Sequence, residues 1–227
     1  MIVIARRRNL SGFTLIELLV VIAIILILIA IALPNFMEAQ IRAKVARAES
    51  EMRILSIAVE SYHGDRAVYP YMSVPSLDYT FLTDGFRWLT SPVAYLTTLP
   101  IDPFSQPVEP PNFAERGPNY KFHSTTPIPM AGLRRLSNVD AYFIFSYGPN
   151  WDPDSYTLTN AAWPFSLTEN PCSIDRIPIW TYSPTNGTRS VGDIVRFGGE
   201  YRAGNWCLNG VRIIGRDFNV GRAWDGT

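Results

Sequence analysis

The order of apolar and polar positions divides the chain into three stretches. The run from Phe13 to Leu33 is apolar apart from Thr14 and Glu17. As a helix its roughly 21 residues would span about 30 Å, enough to cross the hydrocarbon core of a bilayer. Beyond Pro34, apolar residues recur at alternating steps of four and three, which predicts the apolar stripe of an amphipathic helix. That stripe consists of Ile41, Val45, Ala48, Met52, Leu55, Val59 and Tyr62.

Proline and glycine set the predicted boundaries. Pro34 is expected to kink the helix without ending it, because helix-forming sequence resumes at once, and Gly64 is expected to stop it. The remainder holds all but one of the 18 prolines and is predicted to form a turn-rich domain. The predicted divisions are a leader over residues 1–12, a membrane-spanning helix over 13–34, an amphipathic helix over 35–64 and a globular domain over 65–227.

Short runs of apolar and aromatic residues predict strands in the globular domain. They are Ala141–Tyr147, Ile177–Tyr182, Ile194–Phe197 and Val211–Phe218. Prolines confine such strands to edges and lengthen the loops between them. The predicted fold is therefore α+β: a long N-terminal helix whose second half packs on a small antiparallel sheet with long Pro- and Gly-rich loops.

Composition argues against the common enzyme classes and against nucleic-acid binding. Lys and Arg number 20, as do Asp and Glu, so no basic excess favours a nucleic-acid partner. With only two histidines and two cysteines, the chain has too few cysteines for a four-cysteine zinc site and can form at most one disulfide. No G-x-S-x-G, H-E-x-x-H or phosphate-binding glycine motif occurs. The chain is predicted to be a structural protein without a catalytic residue.

Charges at the N-terminus predict orientation and processing. Arg6, Arg7 and Arg8 precede the apolar run, which predicts a cytoplasmic N-terminus and a globular domain on the other side of the membrane. Glu17 is costly in such a run and needs a partner, which we expect to be external. Cleavage after Gly12 would free an α-amino group on Phe13, about one helical turn from Glu17. The amine of one subunit could then meet the carboxylate of its neighbour.

The residues Gly12-Phe13-Thr14-Leu15-Ile16-Glu17, after the arginines, resemble the prepilin-type cleavage and methylation signature of type IV pilins and type II secretion pseudopilins. The resemblance implies cleavage between Gly12 and Phe13, N-methylation of Phe13 and a role of Glu17 in filament assembly. Pro34 lies where family members often carry a kinking proline. The implied partners are a prepilin peptidase, copies of the chain and related pseudopilins, and an inner-membrane assembly platform with its ATPase. The implied location is the bacterial inner membrane, followed by a periplasmic or surface filament.

A second resemblance lies in the globular domain. Leu99-Pro100-Ile101-Asp102-Pro103-Phe104, then Ser146-Tyr147-Gly148-Pro149-Asn150, then Asp193-Ile194 follow the order of motifs in major pseudopilins. The resemblance implies a secretion pseudopilin and a calcium ion in this loop region. Oxygen-bearing side chains suit Ca²⁺, and the candidate ligands are Asn150, Asp152, Asp154 and Asp193. The alternative is a solvated turn, because Asp, Asn and Pro are residues that favour turns.

Other readings of the chain stay open. The N-terminal run could be an ordinary signal peptide cut after Ala30-Ile31-Ala32. The chain could instead be a membrane-anchored binding module whose aromatic residues bind a sugar or peptide, although the aromatic residues are better explained by core filling. Cys172 and Cys207 could form a disulfide outside the cytoplasm or stay unpaired. The tryptophans considered for binding are Trp151, Trp163, Trp180 and Trp206.

Overall fold

The computed structural model describes residues 13–71, 85–105, 119–126, 139–150, 172, 179–185, 190 and 192–215. These residues form one long helix, α1 (Leu15–Arg66), two short 3₁₀ helices and five strands. The chain divides into two compact units, residues 1–40 and residues 41–227. The strands are β1 (Lys121–Ser124), β2 (Ala141–Ser146), β3 (Ile194–Gly199), β4 (Asn205–Leu208) and β5 (Val211–Ile214).

Helix α1 continues through Pro34, as predicted. The Asn35 side-chain amide donates to the Ile31 carbonyl oxygen at 3.4 Å, one turn back along the helix. The kink itself stays a prediction.

The predicted helix stop at Gly64 is wrong, because α1 ends at Arg66. A Cβ added to Gly64 would meet no atom within 4 Å, so this glycine lies on an open face and simply continues the helix. The left-handed residue that ends the helix is Ala67, with a φ of 56°. Its amide still donates to the His63 carbonyl oxygen at 2.7 Å, which completes the last turn.

Strands β1, β2 and β3 form an antiparallel sheet with β2 in the centre. Side chains of β2 point alternately to its two faces. Tyr142 and Ile144 join the core that the second half of α1 lines. Phe143 and Phe145 join a second core with Ile179 and Trp206. Because both faces are covered, every residue of β2 is buried. The α+β prediction, with a helix packed on small antiparallel sheets, is confirmed.

Strands β4 and β5 form a separate hairpin. Asn209 and Gly210 connect them, with φ angles of 50° and 77°. Positive φ at both central residues of a two-residue loop is typical of a type I′ turn, which Asn-Gly favours.

The predicted strands are found in part. Those beginning at Ala141 and Ile194 are present, and the one beginning at Val211 ends at Ile214 in the structure, with residues 216–218 outside the described part. The predicted strand Ile177–Tyr182 is wrong over its described residues. There Ile179 and Thr181 form only isolated bridges, and the preceding Pro178 lacks the N–H that a ladder needs.

Candidate functional site

The first turn of α1 forms a capping box. The backbone amide of Thr14 donates to Glu17 Oε2 at 2.8 Å, and the Thr14 hydroxyl donates to the same oxygen at 2.6 Å. The Glu17 amide points back at the Thr14 hydroxyl oxygen at 3.3 Å. A threonine before the helix and a glutamate three residues later satisfy each other's free groups in this way. The pattern Thr14-Leu15-Ile16-Glu17 carries this signal, but the sequence reasoning missed it.

The capping box changes the expectation about Glu17. An external partner was expected, whereas Thr14 already supplies two hydrogen bonds from within the chain. A hydroxyl and an amide carry no positive charge, so these two hydrogen bonds do not neutralise the negative charge of the Glu17 carboxylate. Phe13 lies next to it and is 72% exposed. Gly12 and the three arginines lie outside the described residues.

The apolar part of α1 is exposed throughout. Every residue from 13 to 37 is exposed in the isolated chain. By length and composition α1 is able to cross a membrane, and its most apolar window has a mean hydropathy of 3.4 with none of it buried.

Tyrosines and carboxylates fasten the second half of α1 to the globular domain. The Tyr120 hydroxyl donates to Glu51 Oε2 at 2.7 Å, and Arg47 Nε lies 2.7 Å from Glu51 Oε1. The Tyr142 hydroxyl lies 3.0 Å from Glu60 Oε1 and 2.7 Å from Ser56 Oγ. Burial is the main cause that raises the pKa of both tyrosines, so the phenols stay protonated and donate.

The structure brings the first two motifs of the globular domain, Leu99–Phe104 and Ser146–Asn150, into contact. Asp102 is buried, and its Oδ1 accepts the Phe104 amide at 2.9 Å. Burial raises the pKa of Asp102, and hydrogen bonds from the Phe104 amide and the Ser146 hydroxyl oppose that rise. The Ser146 oxygen also accepts the Gly148 amide at 3.3 Å. One buried carboxylate therefore ties the loop around residue 102 to the end of β2.

Two of the four candidate calcium ligands lie at the same end of the sheet. Ser146 of β2 pairs with Ile194 of β3, so Asn150 follows β2 where Asp193 precedes β3. A Cβ on Gly148 would lie 3.6 Å from the Gly192 carbonyl oxygen, which shows how close the two segments run. Asn150 Oδ1 and Asp193 Oδ1 are both buried.

The other two candidates, Asp152 and Asp154, lie outside the described residues. Within the described ranges, no three His, Cys, Asp or Glu residues lie close enough together to hold a metal ion. The calcium site therefore stays a prediction.

Cys172 and Cys207 form a disulfide, with Cα atoms 5.1 Å apart. The bridge attaches strand β4 to a segment 35 residues earlier.

The tryptophans divide between core and surface. Trp206 is buried and its Nε1 donates to the Tyr201 carbonyl oxygen at 2.8 Å, which is core filling rather than a binding surface. Trp180 is 40% exposed. Trp151 and Trp163 lie outside the described residues.

Comparison with known proteins gives one family match and several relatives. Residues 7–33 match the family described as the prokaryotic N-terminal methylation motif. The type II secretion system core protein G of Pseudomonas aeruginosa is 33% identical over 108 residues, which cover 46% of this chain and 75% of that protein. The type IV major pilin protein PilA of Myxococcus xanthus is 47% identical over 58 residues, 26% of each chain. A fimbrial protein of Pseudomonas aeruginosa is 54% identical over 51 residues, 22% of this chain and 33% of that protein.

The chain thus matches about a quarter of the length of PilA and a third of the fimbrial protein, but three quarters of core protein G. No solved structure matches the chain.

Proposed function

The chain belongs to the family of type IV pilins and type II secretion pseudopilins, and on that premise we propose that it is a filament subunit. It is cut between Gly12 and Phe13, N-methylated on Phe13 and assembled through Glu17 and the packing of its apolar helix. The observation that carries the proposal is the overlap of two features. The methylation motif covers residues 7–33, and the part of α1 within that range, residues 15–33, is exposed and apolar with one carboxylate in its first turn.

The exposed helix explains why such a subunit assembles. Burying apolar surface stabilises an assembly by about 25 cal/mol per Å², and a bilayer or a bundle of identical helices can supply the apolar surroundings. The uncompensated charge of Glu17 favours the bundle, because there it can meet the α-ammonium of Phe13 on a neighbouring copy. A stack of one subunit type, built head to tail, is an open helical filament.

The secretion branch of the family is favoured over an adhesive pilus. The match to core protein G extends over 75% of that protein, whereas the matches to the pilins cover a third or less. Asp102 of the L-P-I-D-P-F motif is buried and accepts a hydrogen bond from Ser146, so this motif has a structural role in the chain. We therefore place the subunit in the inner membrane, with a cytoplasmic leader and an extracytoplasmic domain. Its further partners are a prepilin peptidase, related pseudopilins, and an assembly platform with its ATPase.

Mass spectrometry of the mature N-terminus tests the processing step. We expect the chain purified from its own membranes to begin at Phe13 and to be heavier by one methyl group. Gly12→Val should leave the leader attached, while the matched variant Ser11→Ala should be processed normally. A mature chain that begins at Leu33 would show cleavage by an ordinary signal peptidase and would contradict the proposal.

We further propose that Ca²⁺ binds at the end of β2 and β3. The ligands would be Asn150, Asp152, Asp154 and Asp193, and the ion would neutralise their carboxylates and hold the loop after β2. The buried oxygens of Asn150 and Asp193 at one end of the sheet support this proposal. Titration calorimetry of the detergent-purified chain should show Ca²⁺ binding that Asp193→Asn weakens and Asp65→Asn leaves unchanged. Absence of any binding heat across temperatures would retire the calcium site.

A further inference from the structure

The turn between β4 and β5 holds a pair of residues that can react with each other. In an Asn-Gly pair the glycine amide nitrogen can attack the side-chain amide carbon of the asparagine, because glycine has no side chain to block the approach. Here the pair is Asn209-Gly210, and both residues are exposed. The hydrogen bond of such a turn uses the amide of Val211, which pairs with Leu208, so the Gly210 amide takes no part in it.

The side chain of Asn209 is held in place by the neighbouring segment. Its Oδ1 accepts the Thr181 amide at 2.8 Å, and its Nδ2 donates to the Thr181 hydroxyl oxygen at 2.8 Å. The Asn209 backbone amide donates to the Ile179 carbonyl oxygen, also at 2.8 Å. We call these three hydrogen bonds the Asn209 clamp. A side chain bound through both its polar atoms cannot rotate to bring Cγ within bonding distance of the Gly210 nitrogen.

The clamp also connects the hairpin to the start of β3. Next to Thr181, the Trp180 carbonyl oxygen accepts the Asp193 amide at 2.9 Å. A Cβ added to Gly192 would lie 2.7 Å from the Thr181 carbonyl carbon, so the two backbones run in direct contact. Loss of the clamp would therefore free the hairpin from the segment that lies against the beginning of β3.

We infer that Asn209 is a site of spontaneous deamidation and that the Asn209 clamp controls its rate. When the clamp opens, the Gly210 nitrogen bonds to Asn209 Cγ and gives up its proton, and the side-chain nitrogen leaves as ammonia. Water then opens the cyclic imide at one of its two carbonyls, which leaves aspartate or isoaspartate. This site does not depend on the proposed filament function.

The isoaspartate product changes the hairpin most. Its backbone is longer by one methylene group, at a turn whose type requires positive φ at both central residues. The nitrogen that donated to the Thr181 hydroxyl is gone, and a negative charge takes its place. The modification therefore removes the clamp and the turn geometry together.

Peptide mapping by mass spectrometry tests the site. Mapping is needed because Asn186-Gly187 is a second Asn-Gly pair in the chain. In the detergent-purified chain at mildly alkaline pH, we expect Asn209 to deamidate at least five-fold more slowly than in the same chain unfolded in guanidinium chloride. Equal rates would show that the fold gives no protection, and an Asn209 that stays intact even in the unfolded chain would overturn the site.

A variant of the clamp tests its control of the rate. Thr181→Val keeps the shape of the side chain and removes the oxygen that binds Asn209 Nδ2, so the folded variant should deamidate at Asn209 at least three-fold faster than the wild type. Ser183→Ala removes a nearby exposed hydroxyl that binds Thr185 instead, and it should leave the rate unchanged. A wild-type rate in Thr181→Val would overturn the role of the clamp.

Hydrogen exchange tests the consequence. The aged chain can be separated by charge into intact and deamidated forms. We expect the amides of β4 and β5 to exchange faster in the isoaspartate form, because the hairpin has lost its attachment. Equal protection in the two forms would contradict that loss.

Discussion

Thr14 and Glu17 give the membrane end of α1 two separable properties. Their reciprocal hydrogen bonds occupy donors that a helix start leaves free, and they lower the penalty for carrying a polar side chain into apolar surroundings. The negative charge is a second property that the hydrogen bonds leave in place. A glutamine can accept the same hydrogen bonds without the charge, so substitutions at this one position can tell capping from ion pairing.

Gly64 offers a test of the observed helix end. Because this residue is helical and a Cβ there would meet nothing within 4 Å, Gly64→Ala should raise the free energy of unfolding by about 0.5–1 kcal/mol. Urea denaturation of the detergent-purified chain measures the change. If the helix instead ended at Gly64 in a left-handed conformation, alanine would destabilise the protein.

His123 predicts a dependence of stability on pH. Its ring stacks on Phe143, with centroids 5.0 Å apart. Burial, and secondarily the charge of Lys121, lowers its pKa from 6.5 to about 4. Between these pH values the unfolded chain binds the proton that the folded chain excludes. The free energy of unfolding should therefore fall as the pH drops from about 6.5 to about 4, by up to about 3 kcal/mol from this residue.

The variant His123→Phe isolates that contribution, because it keeps an aromatic ring at this position and removes the titratable imidazole. Urea denaturation at a series of pH values should show a shallower loss of stability on acidification than in the wild type. Equal slopes for the two proteins would contradict the assignment.

At the scale of elements, α1 serves two environments with one continuous helix. Its first part presents apolar side chains on every side. Its second part buries one apolar face and uses Glu51 and Glu60 to receive tyrosine hydroxyls from the domain. These hydrogen bonds give the helix a fixed rotation and register on the sheet, which apolar packing alone specifies less sharply.

The Tyr142 hydroxyl should contribute measurably to that attachment. Tyr142→Phe removes the buried hydrogen bond to Ser56 and the partly buried one to Glu60, and we expect a loss of about 1–2 kcal/mol in the free energy of unfolding. Tyr95→Phe removes an exposed hydrogen bond to Asp65 and is the matched control. Its expected loss in the free energy of unfolding is at most about 0.5–1 kcal/mol. Equal losses in both variants would show that burial gives the Tyr142 contact no special weight.

Periodicity predicted the parts of the fold that local sequence specifies. Six of the seven predicted stripe residues of α1 are buried and Ile41 packs against the same core, because a 3.6-residue repeat determines which side of a helix is apolar. Strand β4 was missed, since its four residues Asn205–Leu208 lack clear alternation, although the Asn209-Gly210 turn that follows is a hairpin signal. Tyr120 and Glu51 are separated by 69 positions in the sequence, and Tyr142 and Glu60 by 82. No local pattern predicts such pairs.

The contacts of the candidate site are likewise either local, and so visible in the sequence, or dependent on the fold. Thr14 and Glu17 lie three residues apart, so the sequence alone contains their capping box. The contact of Asp102 with Ser146 depends on how the loop folds back on the sheet.

At the scale of the whole molecule, the chain combines a folded domain with an apolar helix that it does not bury. Under the proposed function, such a subunit is held in a membrane by this helix, and the helices of other copies take the place of the lipid in the filament. Under the same proposal the charge of Glu17 favours the second state over the first, because there it can meet the α-ammonium of Phe13 on a neighbouring copy.

Filament yield of Glu17 variants measures that preference. In cells that assemble the wild-type chain, we expect both Glu17→Ala and Glu17→Gln to insert normally yet to give at least ten-fold fewer filaments. Glu49→Gln, which removes an exposed charge from the same helix, should assemble like the wild type. Filaments from Glu17→Gln in wild-type amounts would contradict the charge-driven assembly of this subunit.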